Sequence, residues 1–279
     1  MVLTFLATIP SPTSGTLAIG SLRLTAYGMM IAIGVVAGVS LASRRLLMSG
    51  AGTPEDMSSI ATWAVVSGIV GARLYHVATS WSSFSDDFGK IPMIWKGGLG
   101  IPGGLLGGVL GGIYATRRRQ VRIGSLLTAV APAVPLGQSV GRWGNWWNQE
   151  LFGRATNLPW ALEISDDKLP PGYASGTTFH PAFLYESLWN LGLCLALIQL
   201  DRRVPLRPGR LFCVYLAGYF AGRFWIEGLR IDPAQVFAGL RLNQWVAALV
   251  VIASVGFLIV DGWRSRSQPV PVISRERVQ

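Results

Sequence analysis

Seven apolar stretches divide this chain, near residues 22–42, 56–79, 98–116, 122–140, 181–200, 209–229 and 241–262. Each is close to the roughly 20 residues that a helix needs to cross the hydrocarbon of a bilayer. Backbone amides there have no water to bond, so such segments must satisfy themselves as helices. The arginines gather in alternate gaps: Arg44 and Arg45, then Arg117, Arg118, Arg119 and Arg122, then Arg202, Arg203, Arg207 and Arg210, then Arg264, Arg266, Arg275 and Arg277. Basic loops stay on the cytoplasmic side. That predicts an N-terminus outside, a C-terminus inside and an odd number of crossings, which seven satisfies.

The charged fraction is 14% over 279 residues, against about 25% in soluble domains. A net charge of +10 raises the question of nucleic acid. The cations lie in short gaps between apolar spans and not along one solvated face, so no nucleic-acid partner is expected. The predicted fold is an all-α polytopic membrane protein, with seven transmembrane helices and a small irregular periplasmic head near residues 141–180. A strand is expected around Trp160–Ile164. Residues 1–263 form one membrane unit, and 264–279 a disordered cytoplasmic tail.

Smaller features fit this frame. Gly100, Gly103, Gly104, Gly107, Gly108, Gly111 and Gly112 make a small-residue stripe in the third span, the pattern of close helix packing in a bilayer. Trp81, Trp95, Lys90 and Lys96 in the 80–97 gap read as interface anchors. Cys194 and Cys213 lie inside apolar spans and read as packing residues. Met1–Pro10 has an apolar run without a basic start, unlike a cleaved signal peptide. No inverted repeat is visible, against the usual transporter plan.

The chemistry concentrates in the run from Gly141 to Arg154, which packs Arg142, Asn145, Asn148, Gln149, Glu150 and Arg154 directly behind an apolar span. Charges at the edge of hydrocarbon are costly, so they serve a bound anion, a partner charge or a polar cavity. With the orientation above, Arg73, Arg142, Asn145, His180, Arg223, Glu227 and Arg230 all fall at the outer end of the bundle. Tyr219, Arg223, Glu227 and Arg230 share one helical face. The plain reading of Arg223 and Glu227 is an intrahelical ion pair, and Arg230 then leaves an excess cation. Tyr185 and Glu186 suit either core or site, and the Tyr27 hydroxyl needs a partner.

These residues resemble the prolipoprotein diacylglyceryl transferases of bacterial inner membranes. The likeness rests on Tyr27-Gly28, on Gly71-Ala72-Arg73-Leu74, on Trp95-Lys96-Gly97-Gly98-Leu99 and on Gly103-Gly104. It continues through Gly141–Arg154, His180-Pro181-Ala182-Phe183-Leu184-Tyr185-Glu186, Arg223-Phe224-Trp225-Ile226-Glu227-Gly228-Leu229-Arg230 and Asn243-Gln244. The resemblance implies transfer of the diacylglyceryl group of phosphatidylglycerol to the lipobox cysteine of a prolipoprotein, releasing glycerol phosphate. It implies catalytic roles among Tyr27, Arg142, His180, Arg223 and Glu227. Substrate contacts fall to Gly98, Gly104, Asn145, Asn148, Glu150, Gly153, Arg154, Tyr219 and Arg230. No metal or cofactor is expected. One position departs: Pro102 stands before Gly103-Gly104, where the family often carries a histidine proposed as base, although a branch of the family also lacks it. Tyr27, His76 and His180 are the remaining candidates, and the base assignment stays open.

The expected chemistry is attack by the substrate thiolate, with Arg142 and Arg223 clamping the phosphate and Asn145 donating from the side. Guanidinium forks suit phosphate and keep their charge when partly buried. The reading from another class is a phospholipid transporter or scramblase that passes headgroups along the same arginines without covalent chemistry.

Overall fold

A computed structural model describes residues 8–19 and 22–266. Nine α-helices are present among the described residues: α1 (Ala26–Met48), α2 (Pro54–Thr79), α3 (Ile101–Arg118), α4 (Ile123–Val130), α5 (Ala133–Gly141), α6 (Trp143–Asn148), α7 (Ala182–Arg203), α8 (Arg210–Glu227) and α9 (Leu242–Arg266). Of these, α1, α2, α7 and α9 are each long and apolar enough to cross a membrane, and α4 with the bent segment after it brings the number to five if that pair is one span. The chain is therefore a mostly helical polytopic membrane protein. Helices α3 and α8 are 18 residues each; they pack along α2 and α9.

Local sequence sets the helix starts. Thr25 Oγ1 accepts the Gly28 amide at 3.0 Å at the head of α1. Thr53 and Asp56 cap each other's backbone at the head of α2, with Pro54 at its first position, where the missing amide costs nothing. The glycine stripe works as expected from the sequence. At Gly71, Gly103, Gly107 and Gly111 a side-chain carbon would run into the facing helix, so α2 and α3 pack backbone to backbone. Gly34 of α1 is pressed the same way against the Gly137 carbonyl of α5.

Three expectations need correction. The first span does not begin at residue 22: Leu22–Thr25 is strand β2, paired antiparallel with β1 (Thr16–Ile19), and the helix then runs on to Met48. The fourth span is not one helix, because it bends by 42° between Val130 and Ala133. The cause is Pro132, which lacks the amide that Thr128 O would accept. Arg45 of α1 supplies the donors instead, to Thr128 O at 3.3 Å and Ala129 O at 3.2 Å, while pairing with Asp201 of α7 at 2.8 Å.

The third correction concerns the segment after α6. It is not irregular throughout: β3 (Leu162–Glu163) pairs with β4 (Thr178–Phe179), and bridges tie Ile9 to Leu162 and Ala155 to Phe179. The strand expected near Trp160–Ile164 is β3. Phe152, Leu162, Ile164, Phe179 and Phe183 form its own apolar core. Gln149, left-handed at φ 54°, holds it down: its side chain donates to Pro12 O at 3.1 Å and accepts from the Ser165 amide and hydroxyl, both at 2.8 Å. A third hairpin, β5 (Val236–Phe237) with β6 (Leu240–Arg241), leads into α9. The polar tail expected from 264 lies outside the described residues beyond Arg266, as do residues 1–7 of the N-terminal run. Cys194 is buried and Cys213 half-buried, both as free thiols.

Candidate active site

Arg142 closes α5, Glu186 lies in the second turn of α7, and Arg223 lies near the end of α8. They meet. Arg142 Nε is 2.6 Å from Glu186 Oε2, and Arg223 Nη1 donates to Glu186 Oε1 at 3.3 Å. Arg223 Nη2 is also 2.6 Å from Glu227 Oε2. Glu227 is fully buried and gathers more partners: Arg241 Nε at 2.9 Å, Asn243 Nδ2 at 3.1 Å and Arg230 Nη1 at 3.6 Å. Its contacts with Arg223 and Arg241 are close charge pairs whose angles fall short of good hydrogen bonds.

The network extends at both ends. On the α6 side, Arg142 Nη1 reaches Asn145 Oδ1 at 3.5 Å, while Asn145 Nδ2 donates to Glu150 Oε1 at 2.8 Å. Asn148 Nδ2 reaches the same oxygen at 3.3 Å. On the α9 side, Asp232 accepts from Arg230 Nε at 2.7 Å and Arg241 Nη2 at 2.9 Å. Burial would push the Asp232 carboxyl up, but bonding to Arg230 and the charges of Arg230 and Arg241 hold it below the usual carboxylate range. Carboxylates thus match guanidiniums one for one from Glu150 to Asp232. The excess cation expected at Arg230 is absent, because Arg230 is shared between Asp232 and Glu227.

Other expected residues are placed separately. Arg154 is exposed, and among the described residues only its backbone is bonded: its amide donates to Leu229 O at 2.8 Å and its carbonyl accepts from His180 N at 3.0 Å. Gly153 sits against His180 and the Leu229 carbonyl, leaving no space for a methyl group. His180 Nδ1 lies 3.1 Å from the Tyr185 hydroxyl, which takes the Trp160 indole proton at 3.0 Å. Burial first, and then the Arg154 charge, press the His180 pKa down. Tyr219 stacks on Tyr215 and lines a small void with Glu186 and Arg223.

Arg73, Gly98 and Gly104 belong to another structure. Arg73 is buried, with its guanidinium donating to four carbonyls, those of Lys90, Ile91, Gly97 and Gly98, at 2.7 to 3.0 Å. It folds the 80–100 loop onto α2 and is absent from the Arg142 network. Gly98, at φ 76°, lies against Arg73 and His76; Gly104 faces Ala72 across the α2–α3 contact. His76 itself packs edge-on against Phe84.

An apolar cavity of about 460 Å³ runs between α1, α2 and α5, walled by Ile31, Val35, Met57 and Val134, with Tyr27, Gln138 and Arg142 at its polar end. Tyr27 packs on Gly144 of α6. Of the three base candidates, Tyr27 alone lines this cavity with Arg142.

The sequence named Glu186 without deciding its role, and it missed Arg241 and Asp232 altogether. The available signal for Glu186 was its position: a carboxylate one turn inside an apolar helix needs a cation. For Arg241 and Asp232 the signal was their flanking of a short hairpin at the same end as Arg230.

Fold and site together define a polytopic helical membrane protein with an arginine–carboxylate centre at one end of its bundle, opening on an acyl-sized cavity. Residues 15–260 match the family described as prolipoprotein diacylglyceryl transferase, and the chain belongs to that family. It is 44% identical over 262 residues to phosphatidylglycerol–prolipoprotein diacylglyceryl transferase 2 of Streptomyces coelicolor, covering 93% of this chain and 82% of that one. It is 46% identical over 259 residues to the Streptomyces griseus enzyme of that name, covering 92% and 78%. With the Synechococcus elongatus enzyme it shares 43% over 277 residues, covering 96% and 94%. The chain is a transferase by family, which removes the transporter and scramblase reading.

Proposed function

We infer that this chain transfers the diacylglyceryl group of phosphatidylglycerol to the lipobox cysteine of prolipoproteins, releasing glycerol phosphate. The observation that carries the reading is the meeting of Arg142 and Arg223, from separate segments, on Glu186 beside an apolar cavity. In this reading the acyl chains lie in the cavity and the phosphate reaches its polar end. There it meets the guanidiniums of Arg142 and Arg223, which Glu186 holds together.

The substrate sulfur attacks the glyceryl carbon bonded to the phosphate oxygen. The carbon–sulfur bond forms, the carbon–oxygen bond breaks, and its electron pair stays on the departing glycerol phosphate. The thiol proton goes to a base, for which Tyr27 is the best-placed of the three candidates. A cysteine thiol near pKa 8.5 supplies some thiolate at neutral pH, so charge on the leaving oxygen is the harder problem. Fixed cations aimed at such charge contribute about 10²–10³ in rate per donor. Arg142 and Arg223 are the clamp, Asn145 orients Arg142, Glu227 orients Arg223, and Glu150 holds Asn145 and Asn148. Arg230 acts through Glu227, and Arg154 remains open for the headgroup. The roles of Gly98 and Gly104 are to shape the α2–α3 region.

We also place the protein in the bacterial cytoplasmic membrane with seven crossings: α1, α2, α3, the α4–α5 pair, α7, α8 and α9. Support comes from the packing of α3 and α8 along apolar neighbours and from the alternation of basic gaps. That puts the N-terminus and the β3–β4 unit outside, and the C-terminus inside.

The test is the purified chain with phosphatidylglycerol and a lipobox peptide, read by mass spectrometry. A thioether-linked diacylglyceryl mass is expected, lost in Arg142→Ala and Arg223→Ala proteins that still fold. An unmodified peptide with folded wild-type chain would overturn the reading, and full turnover in both variants would remove the clamp.

A further inference from the structure

We propose that the opposite end of the bundle carries a second lipid site, which binds an anionic phospholipid as a fixed structural ligand, its phosphate held by Arg44 and Arg202. This goes beyond the transfer reaction. Along α1 the two sites are about 25 Å apart, from Tyr27 to Arg44 at 1.5 Å per residue.

A cavity of about 530 Å³ lies among the ends of α1 and α7, the first part of α4 and the α7–α8 connection. Leu41, Met48, Ile198 and Leu206 give it apolar walls, and Arg44, Arg45, Asp201 and Arg202 line its polar part. Most polar groups there are already engaged. Arg45 is spent on Asp201 and on the carbonyls that Pro132 leaves open. The Thr128 hydroxyl donates to Gly124 O at 3.0 Å and accepts the Gly209 amide at 2.8 Å.

What remains is Arg44 and Arg202, neither of which has an ion pair or side-chain hydrogen bond among the described residues. Arg44 and Arg202 are exposed, and with Arg45 they give the cavity's lining three guanidiniums against the one carboxylate of Asp201. Ser125 adds a hydroxyl from the first turn of α4, the end of a helix that favours anions. Cations over apolar walls between membrane helices suit a phosphodiester with acyl chains. A free phosphate would leave those walls wet. A lipid here would join α1, α4 and α7 beside the carbonyls of Thr128 and Ala129, which Arg45 braces.

The test is native mass spectrometry of the full chain in detergent with dioleoylphosphatidylserine, an anionic phosphodiester lipid that is not the transfer donor. Dioleoylphosphatidylcholine and inorganic phosphate serve as comparisons. The Arg142→Ala protein, whose clamp is disabled, is expected to keep one tightly bound phosphatidylserine. Adding Arg44→Gln and Arg202→Gln to it should weaken that binding at least about tenfold, the loss of two charge-assisted hydrogen bonds. Lysine at both positions should restore part of it. In the wild-type background the glutamine pair should leave transfer per folded molecule unchanged, so a failed lipid site and a failed transferase reading give different results. Equal retention of phosphatidylcholine, undiminished binding in the glutamine pair, or displacement by millimolar phosphate would each overturn the proposal.

Discussion

Arg142 and Glu186 stand 2.6 Å apart across the gap between α5 and α7, and the second oxygen of the same carboxylate takes Arg223 from α8. One buried side chain therefore sets the spacing of both members of the clamp. Removing the carboxylate leaves two cations facing each other at low dielectric. Glu186→Ala is expected to cost about 3–5 kcal/mol of stability, as for a broken buried pair. Glu186→Gln keeps the shape and one acceptor. It should lose less stability than the alanine protein, because one acceptor stays although the charge is gone, and lower kcat by about 10²-fold, the scale of a misplaced catalytic group. Unchanged kcat in the glutamine protein would show that Glu186 only supports the fold.

Arg154 offers the reverse case. Its guanidinium is exposed while its backbone is fixed at 2.8 Å to Leu229 O. Arg154→Gln should leave melting unchanged at about pH 8, where His180 is neutral folded or unfolded, and raise KM for phosphatidylglycerol about tenfold, one charge-assisted hydrogen bond lost. A fall in kcat at constant KM would move Arg154 out of lipid binding.

Gly153 is fixed by space. An added methyl would meet His180 Cβ at 2.7 Å and Leu229 O at 3.2 Å, both in segments that hold the β3–β4 unit to the bundle. Gly153→Ala should cost about 1–3 kcal/mol through overpacking, with activity falling alongside. The comparison is thermal melting against turnover across temperature. Loss of turnover without loss of melting would point to lipid contact instead.

Much of this architecture was readable before any coordinates. The glycine stripe of α3 and the pairing of Arg223 with Glu227 follow from spacing alone. The break at Pro132 was also in view, since proline within an apolar span removes an amide. A window of hydropathy averages over it, so it passed as one helix. Glu186 was harder, because its partners lie 44 positions before it and 37 after it. No local pattern encodes a contact between three helices. Arg73 failed for the opposite reason: its place at the outer end of α2 looked like Arg142's, and only the path of the 80–100 loop shows that four carbonyls consume it.

Tyr27 separates fold from chemistry in a different way. Its ring packs on Gly144 and lines the cavity with Arg142, and its hydroxyl makes no hydrogen bond among the described residues. Tyr27→Phe keeps the packing, so melting should stay within about 0.5 kcal/mol, the range of substitutions that break no contact. As the base, Tyr27 would lose at least about 10² in kcat on that change. Wild-type turnover in Tyr27→Phe would return the proton to another group.

His180 gives a pH-dependent prediction. Burial and the Arg154 charge lower its pKa from the ordinary 6.5, so the unfolded chain binds the proton more readily than the folded one. The sign follows from linkage: stability tied to His180 is fully present above 6.5 and declines as pH falls toward the lower folded value. Wild-type protein should therefore lose stability between about pH 7.5 and pH 5.5, beyond any change from carboxylates that titrate lower. His180→Gln removes the titration and should flatten that interval. Arg154→Gln should flatten it partly, since without the nearby cation the folded pKa rises toward its unfolded value. Thermal melts of the three proteins across the interval check the order. A wild-type slope that survives in His180→Gln would assign the effect to another group.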